Sequence, residues 1–324
     1  SGGMKQLAPL SKAARNNWKE FVRRWMTHKN PYTGLTWGED PALFCANLIN
    51  EDTLPFQWNI NPETAQIYIE RFKTWAEANG YAGAQATEAG RPFRKFLQEL
   101  QQNSHREQIR FIREQLNMKT LLTSLNYINE APLTLLRNEF DVVDNHLYFD
   151  HPTSLEKPWQ APFGYTQLCA IEQYATLPRD LMPTRIFGKP FLVTEFNYCF
   201  PNRHRAEGGP LIGAYSALQN WNGLCRFAWS HGKQKIINPQ HPAEGFDAVN
   251  DPFARLSDRI AILMFRRGDI KAAKRKFVWQ VNREIFDTDE SFDFPADYQK
   301  LGLISQIGSA PSDSLPAGNV IGLS

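Results

Sequence analysis

Apolar positions along this chain follow two periods, one helical and one strand-like. From Ser11 to His28, Trp18, Phe21, Val22 and Trp25 fall at spacings of three and four, which predicts an amphipathic helix. The turn residues Asn30-Pro31-Tyr32-Thr33-Gly34 break it. Residues 42–49 are a continuous apolar run with one Asn, the pattern of a strand buried on both faces. Helices are expected over about 65–78, from Arg91 to about Leu116, and over 133–138, 211–220 and 255–267. Strand-like runs recur at about 119–125, 141–148, 190–195 and 223–229. This alternation of strand and helix predicts an α/β fold with a parallel sheet and crossover helices. Outside it, Lys276–Phe286 alternates with period two and is expected to form an antiparallel strand apart from the main sheet. A loop rich in Pro and aromatics spans Asp150 to about Arg185. The Gly-, Ser- and Pro-rich tail from about Ser305 is expected to be poorly ordered or a linker.

Composition narrows this picture only at certain points. With 324 residues, 42% of them hydrophobic, the chain has enough apolar surface for one large α/β unit or two domains. Lys and Arg total 36 against 34 acidic residues, a net charge of +2, so neither nucleic acid nor an anionic membrane is expected as partner. The basic run Arg266 to Lys276 lacks interleaved aromatics and reads as a solvated helix end. No apolar stretch reaches the 18 or so residues of a membrane span. Cys45, Cys169, Cys199 and Cys225 show no CxxC spacing. Cys45 and Cys225 lie within apolar runs, which predicts buried free thiols rather than a disulfide framework. Among the nine Trp, the polar-flanked Trp37, Trp58, Trp159 and Trp229 are candidates for stacking on sugar rings, with core packing as the equal alternative. Ser1-Gly-Gly-Met4 reads as a cloning remnant with no secretion signal after it, and localisation stays open.

The chemistry centres on two carboxylates. Glu51 closes the first strand-like run and Glu195 the fourth. Carboxylates at the carboxyl ends of two buried strands are what glycoside hydrolysis requires, one as acid/base and one as nucleophile. Singly, Glu51 reads as a helix-start carboxylate near Asp52 and Thr53, and Glu195 as a solvated strand end. It is the pair that carries the argument. No Gly-rich phosphate loop or Ser-centred nucleophile elbow is present. Asp144, His146, Asp150 and His151 lie close in sequence. However, Tyr148 on the same strand face is a poor zinc ligand, and Asp150-His151-Pro152 reads as the start of a loop. Neither a metal nor a cofactor is expected.

With these residues in place, the chain resembles clan A glycoside hydrolases, the retaining (β/α)8-barrel enzymes that include cellulases, mannanases and β-galactosidases. Asn50-Glu51 matches the Asn-Glu pair that ends barrel strand four, where Glu is acid/base and Asn binds the sugar 2-hydroxyl. His146-Leu-Tyr148 matches the His-x-Tyr of strand six. Glu195 matches the strand-seven nucleophile, and Trp229 the strand-eight tryptophan under the reactive subsite. The phrases Asn30-Pro-Tyr-Thr-Gly34 through Asp52, and Phe196-Asn197 through Ala206, look like a group of large bacterial members of this clan. The resemblance covers roughly residues 12–270. Asn126 ends another strand, where packing or turn formation is the simpler explanation.

The resemblance implies a TIM (β/α)8-type barrel that is incomplete here, with five of eight strands, strands four to eight, in this chain. Residues 1–40 offer no strand to replace the three that precede the first helix in the family, nor the Arg and His those strands carry. The expected domains are a partial barrel over 1–272 and a C-terminal strand segment and flexible tail over 273–324. The implied activity is retaining hydrolysis of a β-linked glycoside, with an oligosaccharide, polysaccharide or other glycoside as substrate. Glu51 is then acid/base, Glu195 the nucleophile, and Asn50, His146, Tyr148 and Trp229 bind substrate. The alternative is a non-catalytic carbohydrate-binding or assembly subunit whose barrel is completed by a second chain or copy.

Overall fold

The computed structural model describes residues 2–83, 87–88, 90–238, 240–314 and 320–323. In chain order it runs α1 (Gly2–Leu10), α2 (Lys12–Thr27), β1 (Cys45–Asn47), α3 (Leu54–Gln57), α4 (Pro62–Ala78) and α5 (Arg91–Arg110). Then follow β2 (Leu121–Thr123), α6 (Leu133–Arg137), β3 (Val143–Phe149), β4 (Thr153–Ser154), β5 (Phe163–Gly164), α7 (Pro178–Leu181) and β6 (Phe191–Tyr198). The remainder is α8 (Gly208–Leu218), β7 (Gly223–Arg226), α9 (Lys233–Ile237), α10 (Pro252–Phe265), β8 (Lys276–Val281), α11 (Ala296–Leu301), β9 (Gln306–Pro311) and β10 (Ile321–Leu323). The chain is thus mixed α/β with parallel strand pairing. The described residues form four small sheets, none of which closes into a barrel. They divide into two compact units, one of residues 1–128, 135–143 and 282–292, the other of 129–134, 144–281 and 293–324.

In the first unit, β1 and β2 pair in parallel, Cys45 opposite Leu121 and Asn47 opposite Thr123. The carbonyl of Leu122 accepts from the Asp141 and Val142 amides at 3.1 and 3.2 Å, which ties β2 to the segment entering β3. Helix α4 starts three residues before the expected Ala65: Asn61 caps it by accepting from the Thr64 amide, and Pro62 fills the first turn, where a missing N–H costs nothing. On α5, Phe93, Phe96, Leu97, Gln101, Ser104, His105 and Gln108 recur at spacings of one, three and four and are buried. Leu10, Leu54, Tyr68, Phe72 and Ala76 meet the apolar part of that stripe to form the core. Each buried Phe or Leu there contributes about 1.5–3 kcal/mol relative to exposure. Trp18 of α2 lies edge-on to Phe111, 6.0 Å between ring centroids, and donates its indole N–H to the Leu48 carbonyl at 3.0 Å.

In the second unit β3, β6 and β7 form one sheet in that order, with β6 and β7 parallel. Helix α10 is capped by Asp251, which accepts from the Phe253 and Ala254 amides. It packs on α8 at very short range. A methyl built on Gly209 would sit 1.8 Å from the Ser257 carbonyl oxygen, and one on Gly213 would sit 2.6 Å from the Ala261 Cα. One flank of α10 is an apolar stripe of Phe253, Leu256, Ile260 and Leu263, all exposed. A second sheet, ordered β10-β8-β9, is parallel throughout. Gln219 fastens it: its side chain donates to the carbonyls of Gly302 and Ser305 at 2.7 and 2.6 Å and accepts from the Ile307 amide at 2.9 Å.

Several expectations change. The strand at Lys276 pairs parallel, not antiparallel: period-two alternation reports which faces a strand shows, not which way its neighbour runs. The tail is not loose at Gln306–Pro311, which is a fully buried strand. Its small residues suit a crowded place, since a Cβ on Gly308 would meet the Arg185 carbonyl at 2.8 Å. Residues 315–319 and 324 of that tail, and Ser1 of the supposed remnant, lie outside the described residues. The run 42–49 is not buried on both faces: Phe44 is 61% exposed and only Leu48 is buried. None of the four cysteines is in a disulfide, but Cys225 is exposed and only Cys199 is buried. Trp25, on the apolar face expected for the first helix, is exposed, whereas Trp58 packs against Phe93 at 4.8 Å.

Candidate functional site

The first unit carries Asn50 and Glu51 on the turn after β1. Glu51 has φ +53, a left-handed conformation that is uncommon outside glycine. Side-chain hydrogen bonds hold the turn there. The Glu51 amide donates to Asn126 Oδ1 at 2.7 Å, and Asn126 Nδ2 donates to Asn50 Oδ1 at 3.1 Å. Asn126 is therefore a turn holder. Next to it, Asp52 is 3% exposed. Its Oδ1 accepts from the Ser124 hydroxyl and the Leu125 amide, both at 3.0 Å, and its Oδ2 lies 2.7 Å from His105 Nε2. The Gln101 side chain closes the array, donating to the Asp52 carbonyl and accepting from the Leu54 amide. The Glu51 carboxylate lies 3.5 Å from Lys5 Nζ. Burial, and then the charge of Glu51, push the Tyr127 phenol above its ordinary value.

The second unit carries His146, Tyr148, Glu195 and Trp229. His146 and Tyr148 stand on β3 two residues apart, so they share one face, and Glu195 stands on the neighbouring β6. The Tyr148 hydroxyl donates to Glu195 Oε2, and His146 Nδ1 lies 3.6 Å from the same oxygen. His146 is buried at 2% exposure. One residue before Glu195, the Thr194 hydroxyl donates to Asp144 Oδ2 at 2.6 Å. Tyr148, His146 and Glu195 are thus brought together. Trp229, just after β7, is 55% exposed, with the Arg255 guanidinium 5.9 Å from its ring centroid. Trp159 is exposed too, on the rim of a hollow of about 300 Å³ lined by His151, Pro152, Ser154, Glu156 and Pro158.

Other residues around Tyr148 escape a reading of the sequence. Phe246 and His151 lie 5.1 and 5.5 Å from its ring, and Phe227 lies 6.1 Å away. Asn197, buried just beyond Glu195, donates to the carbonyls of both Phe227 and Phe246 at 2.7 Å and so holds that aromatic wall. His231 packs on Phe227 at 5.0 Å and contacts Asp247 through Nδ1. Burial raises the Asp247 carboxyl, but hydrogen bonds from Lys235 and His231 outweigh it and hold it below its usual 3.8. His231, Phe246 and Asp247 sit in loops without periodicity, whereas Asn197 lies on β6. The signal on offer is that two of the chain's seven His, His231 and His241, fall between 230 and 250.

No family model and no curated protein matches this chain. Among solved structures it is similar to the β-galactosidase from Rahnella sp. R3, at 13% identity and a TM-score of 0.55, over 94% of this chain and 49% of that one. It is also similar to the endo-β-1,4-mannanase from Thermotoga petrophila, at 15% identity and a TM-score of 0.45, over 85% of this chain and 56% of the other. A glycoside hydrolase family 5 mannosidase from Rhizomucor miehei matches at 12% identity and a TM-score of 0.42, over 78% of this chain and 58% of that one. The chain therefore spans about half the length of these structures, and the likeness to the β-galactosidase is one of fold.

Proposed function

We propose that the chain contributes the catalytic residues of a retaining β-glycosidase built on part of a (β/α)8 barrel. The observation that supports it most is the Glu195 carboxylate, which takes the Tyr148 hydroxyl as donor with His146 beside it on the adjacent strand. A phenol donor aimed at a carboxylate oxygen fixes the orientation of that carboxylate. In this reading Glu195 attacks the anomeric carbon and the bond to the leaving oxygen breaks, with Glu51 giving that oxygen its proton. Water then attacks the glycosyl ester, Glu51 takes the water's proton, and the Glu195 carboxylate is released. Asn50 binds the 2-hydroxyl, and Trp229 and Trp159 offer apolar ring faces to the sugar. Which sugar is taken is set by the loops.

A panel of aryl β-glycosides tests this reading. Release of the aryl alcohol by the wild type, abolished in Glu195→Gln and restored by azide in Glu51→Ala with an activated leaving group, is the expected pattern. Equal inactivity of the wild type and both variants, with sugar still bound, would favour the second reading of a non-catalytic carbohydrate-binding or assembly subunit. That reading draws on the Lys5–Glu51 contact, which engages the group needed as proton donor, and on the uncovered stripe of α10, which a further chain or copy would bury.

A further inference from the structure

The geometry points to a zinc site formed by Cys169, His204 and Glu207, none of which takes part in the proposed reaction. Cys169 Sγ lies 3.1 Å and His204 Nδ1 3.4 Å from Glu207 Oε1, and the three ligand atoms all fall within 4.8 Å of one another. Zinc bonds of about 2.3 Å to sulfur and about 2.0–2.2 Å to nitrogen and oxygen, set at tetrahedral angles, place ligand atoms roughly 3.3–3.6 Å apart. The two separations from Glu207 Oε1, 3.1 and 3.4 Å, already lie close to that geometry.

The cradle is built independently of any ion. Glu207 Oε2 accepts the Ala170 and Ile171 amides at 2.9 and 3.2 Å, which turns Oε1 toward the thiol and the imidazole. Buried Asn202 donates to the Leu168 carbonyl at 3.0 Å, and the Arg203 amide donates to Gln167 Oε1 at 2.9 Å, so the two ligand-bearing segments are stapled on either side. Asn202 Oδ1 also accepts the His204 amide at 2.6 Å. Thiolate, imidazole and carboxylate together select zinc over magnesium or calcium, which prefer all-oxygen shells. Three protein ligands leave a fourth position for water. Binding displaces the Cys169 thiol proton to solvent and forms a sulfur–zinc bond. Bound zinc locks the loop of Cys169 onto the turn Arg205–Glu207 that leads into α8.

The test uses the full chain, stripped with chelator and titrated with Zn²⁺ alone and then with Co²⁺ as a spectroscopic substitute. One equivalent of zinc is expected, with affinity reduced more than about tenfold in Cys169→Ser and in His204→Ala. Cobalt should give a thiolate charge-transfer absorption that is lost in Cys169→Ser and kept in Cys225→Ser. Serine at 169 can still donate to Glu207, so circular dichroism should show that this variant folds. Zinc should also raise the melting temperature of the wild type and of Glu195→Gln, but not of Cys169→Ser. Equal zinc uptake in the wild type, Cys169→Ser and His204→Ala, or no cobalt–thiolate absorption in the wild type, overturns the site. Because Glu195→Gln keeps it, failure of the glycosidase reading and failure of the zinc site are read separately.

Discussion

Gly209→Ala sets two opposing effects against each other. In most helices this change is favourable, by up to about 1 kcal/mol, because Ala loses less backbone entropy. Here the added methyl would lie 1.8 Å from the Ser257 carbonyl oxygen of α10, where ordinary contact needs about 3.5 Å. The helices must therefore part by more than an ångström. Overpacking of this kind costs typically about 1–3 kcal/mol and sometimes more. Parting them also strains the hydrogen bond from the Gly209 amide to Ser257 Oγ, at 2.5 Å, worth about 1 kcal/mol. The net expectation is a loss of about 2–3 kcal/mol, a fall of roughly 3–5 °C in Tm for a protein of this size. Urea midpoints and thermal melts of the wild type, Gly209→Ala and Gly3→Ala decide it. Gly3, on α1, meets nothing closer than Leu7 Cδ1 at 3.8 Å and should accept alanine without loss. Adding Ser257→Ala should not rescue Gly209→Ala, because the nearest obstructing atom belongs to the backbone. A Gly209→Ala protein as stable as the wild type would refute the close approach of α8 and α10.

Other outcomes follow from the same contacts. Asp52→Ala strands the Leu125 amide, the Ser124 hydroxyl and His105 in a buried place and should cost at least about 3 kcal/mol, seen as a lower urea midpoint. If the glycosidase reading holds, Tyr148→Phe removes a hydrogen bond to a charged group worth about 1.5–3 kcal/mol, and kcat should fall by about 10- to 100-fold with little change in melting temperature. Burial raises the carboxyls of Asp150 and Asp247, but their hydrogen bonds hold both below 3.8 in the folded chain. A carboxyl lowered on folding stabilises fully above its unfolded pKa and loses that contribution as pH falls through its folded pKa. The stability difference between wild type and Asp247→Asn should thus be constant from pH 7 to about pH 5 and shrink as pH falls below about 4. A gap that widens in acid would contradict the hydrogen bonds drawn to Asp247.

How much of this is legible in the chain depends on whether a residue's role is local. Helices α2, α4, α5, α8 and α10 lie within a few residues of their predicted positions, because an apolar stripe and a cap are local signals. The runs at 119–125, 190–195 and 223–229 likewise contain strands, and the His146–Tyr148–Glu195 grouping follows from β3 and β6 being neighbours. Strand β9 stays hidden because Gln306-Ile-Gly-Ser-Ala-Pro311 looks like a loop by composition. Its small residues answer to Arg185, more than a hundred positions away. Burial lowers that arginine to about 10, and the carbonyl of Gln219 and the side chain of Gln306 supply its partners. Asp52 shows the same limit. Beside Glu51 it reads as one more acidic residue at a turn, yet its three partners come from β2's far end and from α5. Exposure at Phe44 and Cys225 was likewise unreadable, since an apolar run reports what a strand can bury and not what arrives to cover it.

The apolar stripe of α10 also sets how the molecule responds to dilution. A face bearing Phe253, Leu256, Ile260 and Leu263 gains free energy by leaving water, whichever surface receives it. If the receiving surface lies on another molecule, burial is second order in protein and fades as the solution is thinned. If it lies on the same polypeptide, burial is independent of concentration. The sedimentation profile and melting temperature of this chain across a hundredfold range of concentration therefore report whether that helix is satisfied from within or from outside.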